Sequence, residues 1–393
     1  MISNLETPCF IIDENELKNN IEEMHRALKK AWGNYIIGYS YKTNSLPWII
    51  NYFKKNNIYA EVVSDLEYSL AKKINYDDKN IIFNGPIKGK KRFIDALKNG
   101  AIVNLDSNRE IEWIENEIFD QEIKIGIRVN FDLEKECPNE TAMGEKGGRF
   151  GFSLENGSFE KVVKRINSIK NVKVVGIHLH NSTKTRSLKI YEELSKKANK
   201  IAGMFDYDLD YVDIGGGFFG GLKGKPSYYD YMSVISNELS KGFDKSKTKL
   251  IVEPGASLIA SPISFLCEVV DVKDTYANRI VTVNGSRNNI DPLMRKSNYF
   301  INILANGNRK IMDSQVVCGY TCMEDDRIVN IEDKIELIVG DKLIFNKVGS
   351  YTMCLSPLFI EYFPKVYLKT SMNEFICVRE NWTVEEYIQK SII

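Results

Sequence analysis

The sequence predicts an α/β chain, a (β/α)8 barrel followed by a second, all-β domain. Three observations lead there. Eight short runs rich in Ile and Val recur through the first two thirds, segments of helical period separate them, and after about residue 260 closely spaced strand patterns take over. Continuous apolar runs suit parallel strands buried on both faces, and eight of them with crossover helices suit a closed barrel better than an open doubly wound sheet.

In order, the runs are YIIGYSYK (35–42), AEVVS (60–64), IIFNG (81–85), AIVNLDS (101–107), IKIGIRVN (123–130), VVGIHLH (174–180), YVDIGGGF (211–218) and LIVEPG (250–255). Between them LPWIINYFKKN, DLEYSLAKKI, KKRFIDALKNG and FEKVVKRINSIKN place apolar residues three and four apart, as amphipathic helices do. Function in such barrels gathers at the C-terminal strand ends. Lys42, Ser64, Asn84, His180, the glycines after Asp213, and Glu253 fall there. Beyond the barrel, SFLCEVVDVKDT, NRIVTVNG, RKIMDSQVVCG, DKIELIVGDKLIFNKVGSYT and FPKVYLKT read as strands. The N-terminal TPCFIIDENEL has a strand-like centre that can join them by sequence-distant pairing. The expected domains are therefore 28–262 for the barrel and 1–27 plus 263–393 for the β domain.

The 393 residues are 43% hydrophobic, enough for a substantial core. Their 53 basic and 53 acidic side chains cancel, so no net field favours nucleic acid or an anionic membrane. No stretch reads as a signal peptide or as about 18 consecutive apolar residues, and the cytoplasm is the expected compartment. Seven scattered cysteines suggest reduced thiols. Cys318 and Cys322 find no second pair to complete a zinc set.

Four local patterns carry chemistry. Lys42 ends an otherwise apolar run, where partial desolvation lowers an ammonium's pKa and frees the amine to condense with an aldehyde. VDIGGGFFGG presents three successive glycines, Gly215, Gly216 and Gly217, whose backbone N–H groups can approach a phosphate closely, without the Gly-Lys-Ser/Thr ending of a Walker loop. GIHLHNST sets His178 and His180 on one face of a strand. With three histidines in the chain, an imidazole stacked on an aromatic cofactor is a better use of that pair than a metal site, and no metal is expected. IVEPGAS delivers Glu253 to the barrel mouth, where the nitrogen of a pyridine ring would give the buried carboxylate a partner.

Taken together, these segments resemble the fold type III pyridoxal-phosphate enzymes of the diaminopimelate/ornithine decarboxylase family, nearly end to end. TPCFIIDENELKNNI resembles the family's opening Thr-Pro segment and YSYKTN its cofactor-lysine motif. EVVSDLE, IIFNGPIK, IRVN, GGRFGF, HLHNST, DIGGGFFG and VEPG follow in family order, then CGYTCMEDDRI and VGDKLIFNKVGSYT. The resemblance implies pyridoxal 5'-phosphate as cofactor, Lys42 as its Schiff-base lysine, and His180 stacked on its ring. It also implies Glu253 at the pyridine nitrogen, Gly215, Gly216, Gly217 and Thr183 around the phosphate, and Tyr351 reaching phosphate or substrate. Cys322 would cross a homodimer interface as the second catalytic residue, so that two active sites are shared.

The chain departs from the family where substrates are chosen. Ala256 stands where many members carry arginine after Glu-Pro-Gly, and Asp291 where a Met-Arg-Pro motif supplies another, so two bidentate clamps for a distal carboxylate are missing. Met323 replaces the acidic residue after Cys322, leaving Glu324 and Asp325 as neighbouring candidates for a distal amine, while Asp291 would favour a cationic or hydroxylated substrate end. The expected activity is therefore decarboxylation of a diamino or conjugated amino acid in polyamine, siderophore or specialised biosynthesis. Diaminopimelate decarboxylation, amino-acid racemisation and a non-catalytic regulatory role are the alternatives. Racemisation needs a second base where this chain has TCMEDD, and retention of Lys42, His180, Glu253 and Cys322 argues against a regulator.

Overall fold

Each apolar run folds as a strand, and the helical segments return the chain alongside it. The computed structural model describes residues 2–392. Strand β1 (Cys9–Asp13) and helix α1 (Glu14–Ala31) lead into β2 (Tyr35–Ser40), α2 (Pro47–Lys55), β3 (Tyr59–Ser64), α3 (Asp65–Lys73), β4 (Ile81–Ile87), α4 (Lys90–Lys98), β5 (Ile102–Leu105) and α5 (Asn108–Glu115). Then follow β6 (Ile123–Asn130), the two-residue β7 (Phe152–Ser153), α6 (Ser158–Asn167), β8 (Val172–His178), α7 (Leu188–Ala202), β9 (Tyr211–Asp213), α8 (Tyr228–Leu239) and β10 (Lys249–Val252). Among the described residues, eight of these strands pair in parallel in the order β5-β4-β3-β2-β10-β9-β8-β6, and a β5–β6 pairing closes the ring. The α/β barrel expected from the strand count is thus present.

Two functional candidates lie past their strands rather than within them. Ser40 N–H donates to the carbonyl of Pro254 (3.3 Å), and Pro254 has no N–H with which to continue the ladder. β2 ends there, and Lys42 sits on the following 3-10 turn, Tyr41–Thr43. Likewise β8 stops at His178, which corrects the expectation that His178 and His180 share one strand face. Ser64 proves to be a helix cap, its Oγ accepting the Glu67 N–H at the start of α3.

The barrel interior is packed rather than hollow. Ile36, Ile82, Val175, Tyr211 and Ile251 form one buried cluster inside the ring. Tyr211 fits because its neighbours lack side chains. A Cβ on Gly176 would stand 2.1 Å from Tyr211 Cζ, and one on Gly126 would stand 1.9 Å from its hydroxyl. Gly176→Ala should therefore cost about 1–3 kcal/mol through overpacking, seen as a lower urea midpoint at unchanged slope. An unmoved midpoint would mean that Tyr211 does not fill this space.

The chain forms two compact units, Asn20–Ser257 and Met1–Asn19 with Leu258–Ile393. These limits fall a few residues before the expected 28–262, with the first break inside α1. In the second unit β11 (Ile263–Asp274), β12 (Arg279–Val283), β13 (Phe300–Leu304), β14 (Ile311–Cys318), β15 (Arg327–Ile335), β16 (Lys342–Asn346), β17 (Lys365–Lys369) and β18 (Phe375–Arg379) form one sheet with β1. There β1 runs antiparallel to β11 and parallel to β17, the distant pairing its sequence suggests. All seven cysteines are free thiols, and no helix among the described residues is long and apolar enough to cross a membrane.

Candidate active site

The C-terminal ends of β2, β3, β4, β8, β9 and β10 bring together the polar side chains that the apolar runs could not absorb. Lys42 Nζ lies 2.5 Å from Glu61 Oε2 and 3.4 Å from Ser40 Oγ. Glu61 is 1% exposed in the middle of β3, so its burial is compensated by the ammonium and by the Asn84 amide at 3.1 Å. The sequence reading missed this partner of Lys42. Its available signal was an ionisable residue inside an otherwise apolar strand.

Opposite stands a cluster of buried acids and a histidine. His178, Asp213 and Glu253 hold ligand atoms within 4.8 Å of one another at the ends of three adjacent strands. His178 Nε2 is 3.3 Å from Glu253 Oε2, and Asn84 Nδ2 donates to Glu253 Oε1 at 2.5 Å. Two carboxyls this close do not both ionise easily. Burial, and then the charge of Glu253, push the Asp213 carboxyl well above its usual range. Burial opposes ionisation of Glu253 too, yet His178, Lys42 and a hydrogen bond from Asp213 hold it well below the ordinary carboxylate range. Asp213 thus keeps a proton and Glu253 a negative charge.

His180 packs two residues beyond β8, its ring 6.4 Å from that of His178 and tilted by 22°. Gly216 N–H donates to its Nδ1 at 3.3 Å, which leaves the proton on Nε2. Desolvation, followed by the nearby Arg128 charge, pushes its pKa down to about 3, so the imidazole is neutral. Arg128 is itself held by Asp106, 3.3 Å from its guanidinium. The glycine triplet is explained partly by packing. A Cβ on Gly215 would meet His180 Nδ1 at 2.5 Å, and one on Gly216 would meet the Glu253 carbonyl at 2.1 Å. Gly217, at φ +93°, faces Thr183, whose methyl would stand 3.7 Å from an added Cβ. Thr183 Oγ1 accepts the N–H of Arg186 and of Thr185.

The structure therefore brings Lys42, His180, Thr183, Gly215, Gly216, Gly217 and Glu253 into one unit. A family profile, that of the pyridoxal binding domain of pyridoxal-dependent decarboxylases, matches residues 18–260. The chain belongs to the pyridoxal-dependent decarboxylases. It is a pyridoxal-phosphate-dependent carboxy-lyase acting on an amino acid. The donor set fits that cofactor: an amine with a buried counterion, an ionised carboxylate for a protonated ring nitrogen, and a flat, uncharged imidazole. The chain is similar to the diaminopimelate decarboxylase of Methanocaldococcus jannaschii, at 26% identity over 98% of this chain and 91% of that protein. A solved structure of the M. jannaschii enzyme in complex with L-lysine matches at TM-score 0.86 and 25% identity, covering 98% of this chain and 92% of that one. The arginine decarboxylase of Paramecium bursaria Chlorella virus shares the fold, at TM-score 0.76 and 20% identity over 93% and 96% of the two chains.

The remaining expected site residues lie in the second unit. Tyr351 adopts φ 55° and is 43% exposed, and Cys322 and Met323 are exposed in the decarboxylase's 319–326 loop. The Glu324 side chain is 96% exposed beside Arg327, and Asp325 is exposed. The acid that organises this loop is Asp326, 3% exposed, which accepts from Ser286 Oγ, Arg287 N and Thr321 Oγ1. Asp291 is also committed. It is 5% exposed, and its carboxylate is shared among Arg287, the Lys296 N–H at 2.8 Å and Tyr299. That corrects the picture of Asp291 as an open acceptor for a cationic substrate end, because local charge and backbone already engage it.

Proposed function

We propose that this decarboxylase removes carbon dioxide from diaminopimelate, leaving L-lysine. The observation that carries the proposal is similarity over 98% of the chain to a protein named as a diaminopimelate decarboxylase. The expectation of a specialised substrate drew on Ala256, Asp291 and Met323, and the engagement of Asp291 by Arg287 weakens only its part as an acceptor for a cationic substrate end.

Bound pyridoxal phosphate supplies the conjugated ring that accepts the electron pair left by departing carbon dioxide. Lys42 would hold the cofactor through its amine, and Glu61 Oε2, 2.5 Å from its Nζ, is placed to take and return that amine's proton. Glu253, kept ionised, would hold the ring nitrogen protonated, while Asp213 keeps its own proton. His180, being neutral, would cover the ring without repelling its positive charge. Cys322 is proposed to come from a second copy of the chain, in a cytoplasmic homodimer, and to return a proton to the α-carbon.

A second substrate reading, a larger conjugated amino acid, is favoured by Ala256, which offers no guanidinium, and by a cavity of about 290 Å³ beside His180 walled by Phe131, Leu133, Met143 and Phe150. Purified protein incubated with diaminopimelate, ornithine, arginine, lysine and conjugated amino acids decides between them by released carbon dioxide. Release from diaminopimelate is the expected result. Silence there, with release from a conjugated substrate, would overturn the first proposal and support the second. Inversion at the α-carbon without gas would instead indicate a racemase.

A further inference from the structure

Beneath the site, side chains from three strands form one directed hydrogen-bond chain. The Tyr211 hydroxyl on β9 lies 2.8 Å from Asn104 Oδ1 on β5. Burial pushes that phenol's pKa far up, so it keeps its proton and donates it to Asn104 Oδ1, with the Asn104 amide turned so that its Nδ2 faces Asn84. Asn104 Nδ2 in turn donates to Asn84 Oδ1 at 2.8 Å. Both N–H bonds of Asn84, on β4, are thereby turned to carboxylates, Glu61 Oε1 at 3.1 Å and Glu253 Oε1 at 2.5 Å. Asn84 and Asn104 are buried, at 2% and 1% exposure. Gly126 keeps the junction clear, since a Cβ there would stand 2.0 Å from Asn104 Oδ1.

We propose that Asn84 is a positioning residue that couples the two carboxylates on which the site depends. Its single amide holds Glu61 against Lys42 and Glu253 at the ring-nitrogen position, and Asn104 and Tyr211 fix that amide's orientation from below. An Asn amide suits this place because it offers one donor to each acid and needs an acceptor contact behind, which Asn104 supplies. Buried carboxyls without such a bridge settle the conflict by retaining a proton, as Asp213 does against Glu253. The proposal rests on the cofactor and not on the substrate, so the outcome of the substrate panel leaves it untouched.

The test follows the visible absorbance of the protein loaded with pyridoxal phosphate as a function of pH. That absorbance reports the protonation of the lysine-bound cofactor. Glu61 from β3, Glu67 from α3, His180 past β8 and Glu253 beyond β10 act on Lys42 itself, while Arg128 from β6, His178 at the end of β8 and Asp213 from β9 act on those groups. Asn84→Asp keeps the shape but withdraws the two donors and adds an acid, so the titration should move up by about one pH unit. Tyr211→Phe, which removes one hydroxyl at the far end of the chain, should move it the same way by less. A merely structural role would lower stability in both variants and leave both titrations where they were, which would overturn the proposal. Should Asn84→Asp give no soluble protein, Tyr211→Phe decides by itself.

Discussion

Lys42→Ala is expected to abolish carbon dioxide release, by a factor on the order of 10⁴ or more, because it removes the group that covalent catalysis needs. The same variant should lose the visible absorbance of the loaded protein and any cofactor trapped on the chain by borohydride, while its far-ultraviolet circular dichroism stays unchanged. Lys42 is suited to the task by its place on a turn just past β2, with its side chain 40% exposed and an acid that is 1% exposed directly against it. Lys88, also near a strand end, is not a substitute. It is fully buried, with its ammonium 2.9 Å from Glu110 and 2.7 Å from the Gly85 carbonyl. Lys42→Arg should fail as completely as alanine, since a guanidinium keeps its charge and cannot act as a nucleophilic amine. A Lys42→Ala protein that still carries reducible cofactor would place the chemistry on another lysine.

Glu253→Gln should reduce turnover about 10²–10³-fold with little change in fold, the scale expected when one preorganised electrostatic partner is lost. Glutamine keeps the shape and the contact with Asn84 but not the charge. The sign is set by the environment: Glu253 is held below the ordinary carboxylate range by His178, Lys42 and Asp213, so in the parent it stays ionised across the neutral range and the deficit of the variant persists there. Asp213 then becomes informative. With Glu253 neutral, the charge that helps push Asp213 upward is gone, and Asp213 can ionise in its place. The double variant Glu253→Gln with Asp213→Asn should therefore be slower than Glu253→Gln alone. Full activity in Glu253→Gln would assign the ring nitrogen to Asp213 instead.

The sequence by itself determined the parts of this decarboxylase that are written locally. Runs such as IKIGIRVN and VVGIHLH declare buried strands through unbroken apolar character, and the barrel's helices declare themselves through their spacing. Lys42, Glu253 and the glycines stood out because a charge or a missing side chain at a strand end conflicts with the pattern around it. Tertiary structure decided the partnerships. Glu61 meets Lys42 only because β2 and β3 pair in a register that aligns Ser40 with Glu61, and Asn84 reaches Glu253 across 169 residues only because the ring closes. It also decided that Arg287, the Lys296 N–H and Tyr299 engage Asp291, that Asp326 rather than its neighbours secures the Cys322 loop, and that Ser64 caps a helix. Periodicity specifies which residues are buried. Which buried polar group faces which depends on strand register and barrel closure, and those are fixed by the packing of the whole chain rather than by any stretch of it.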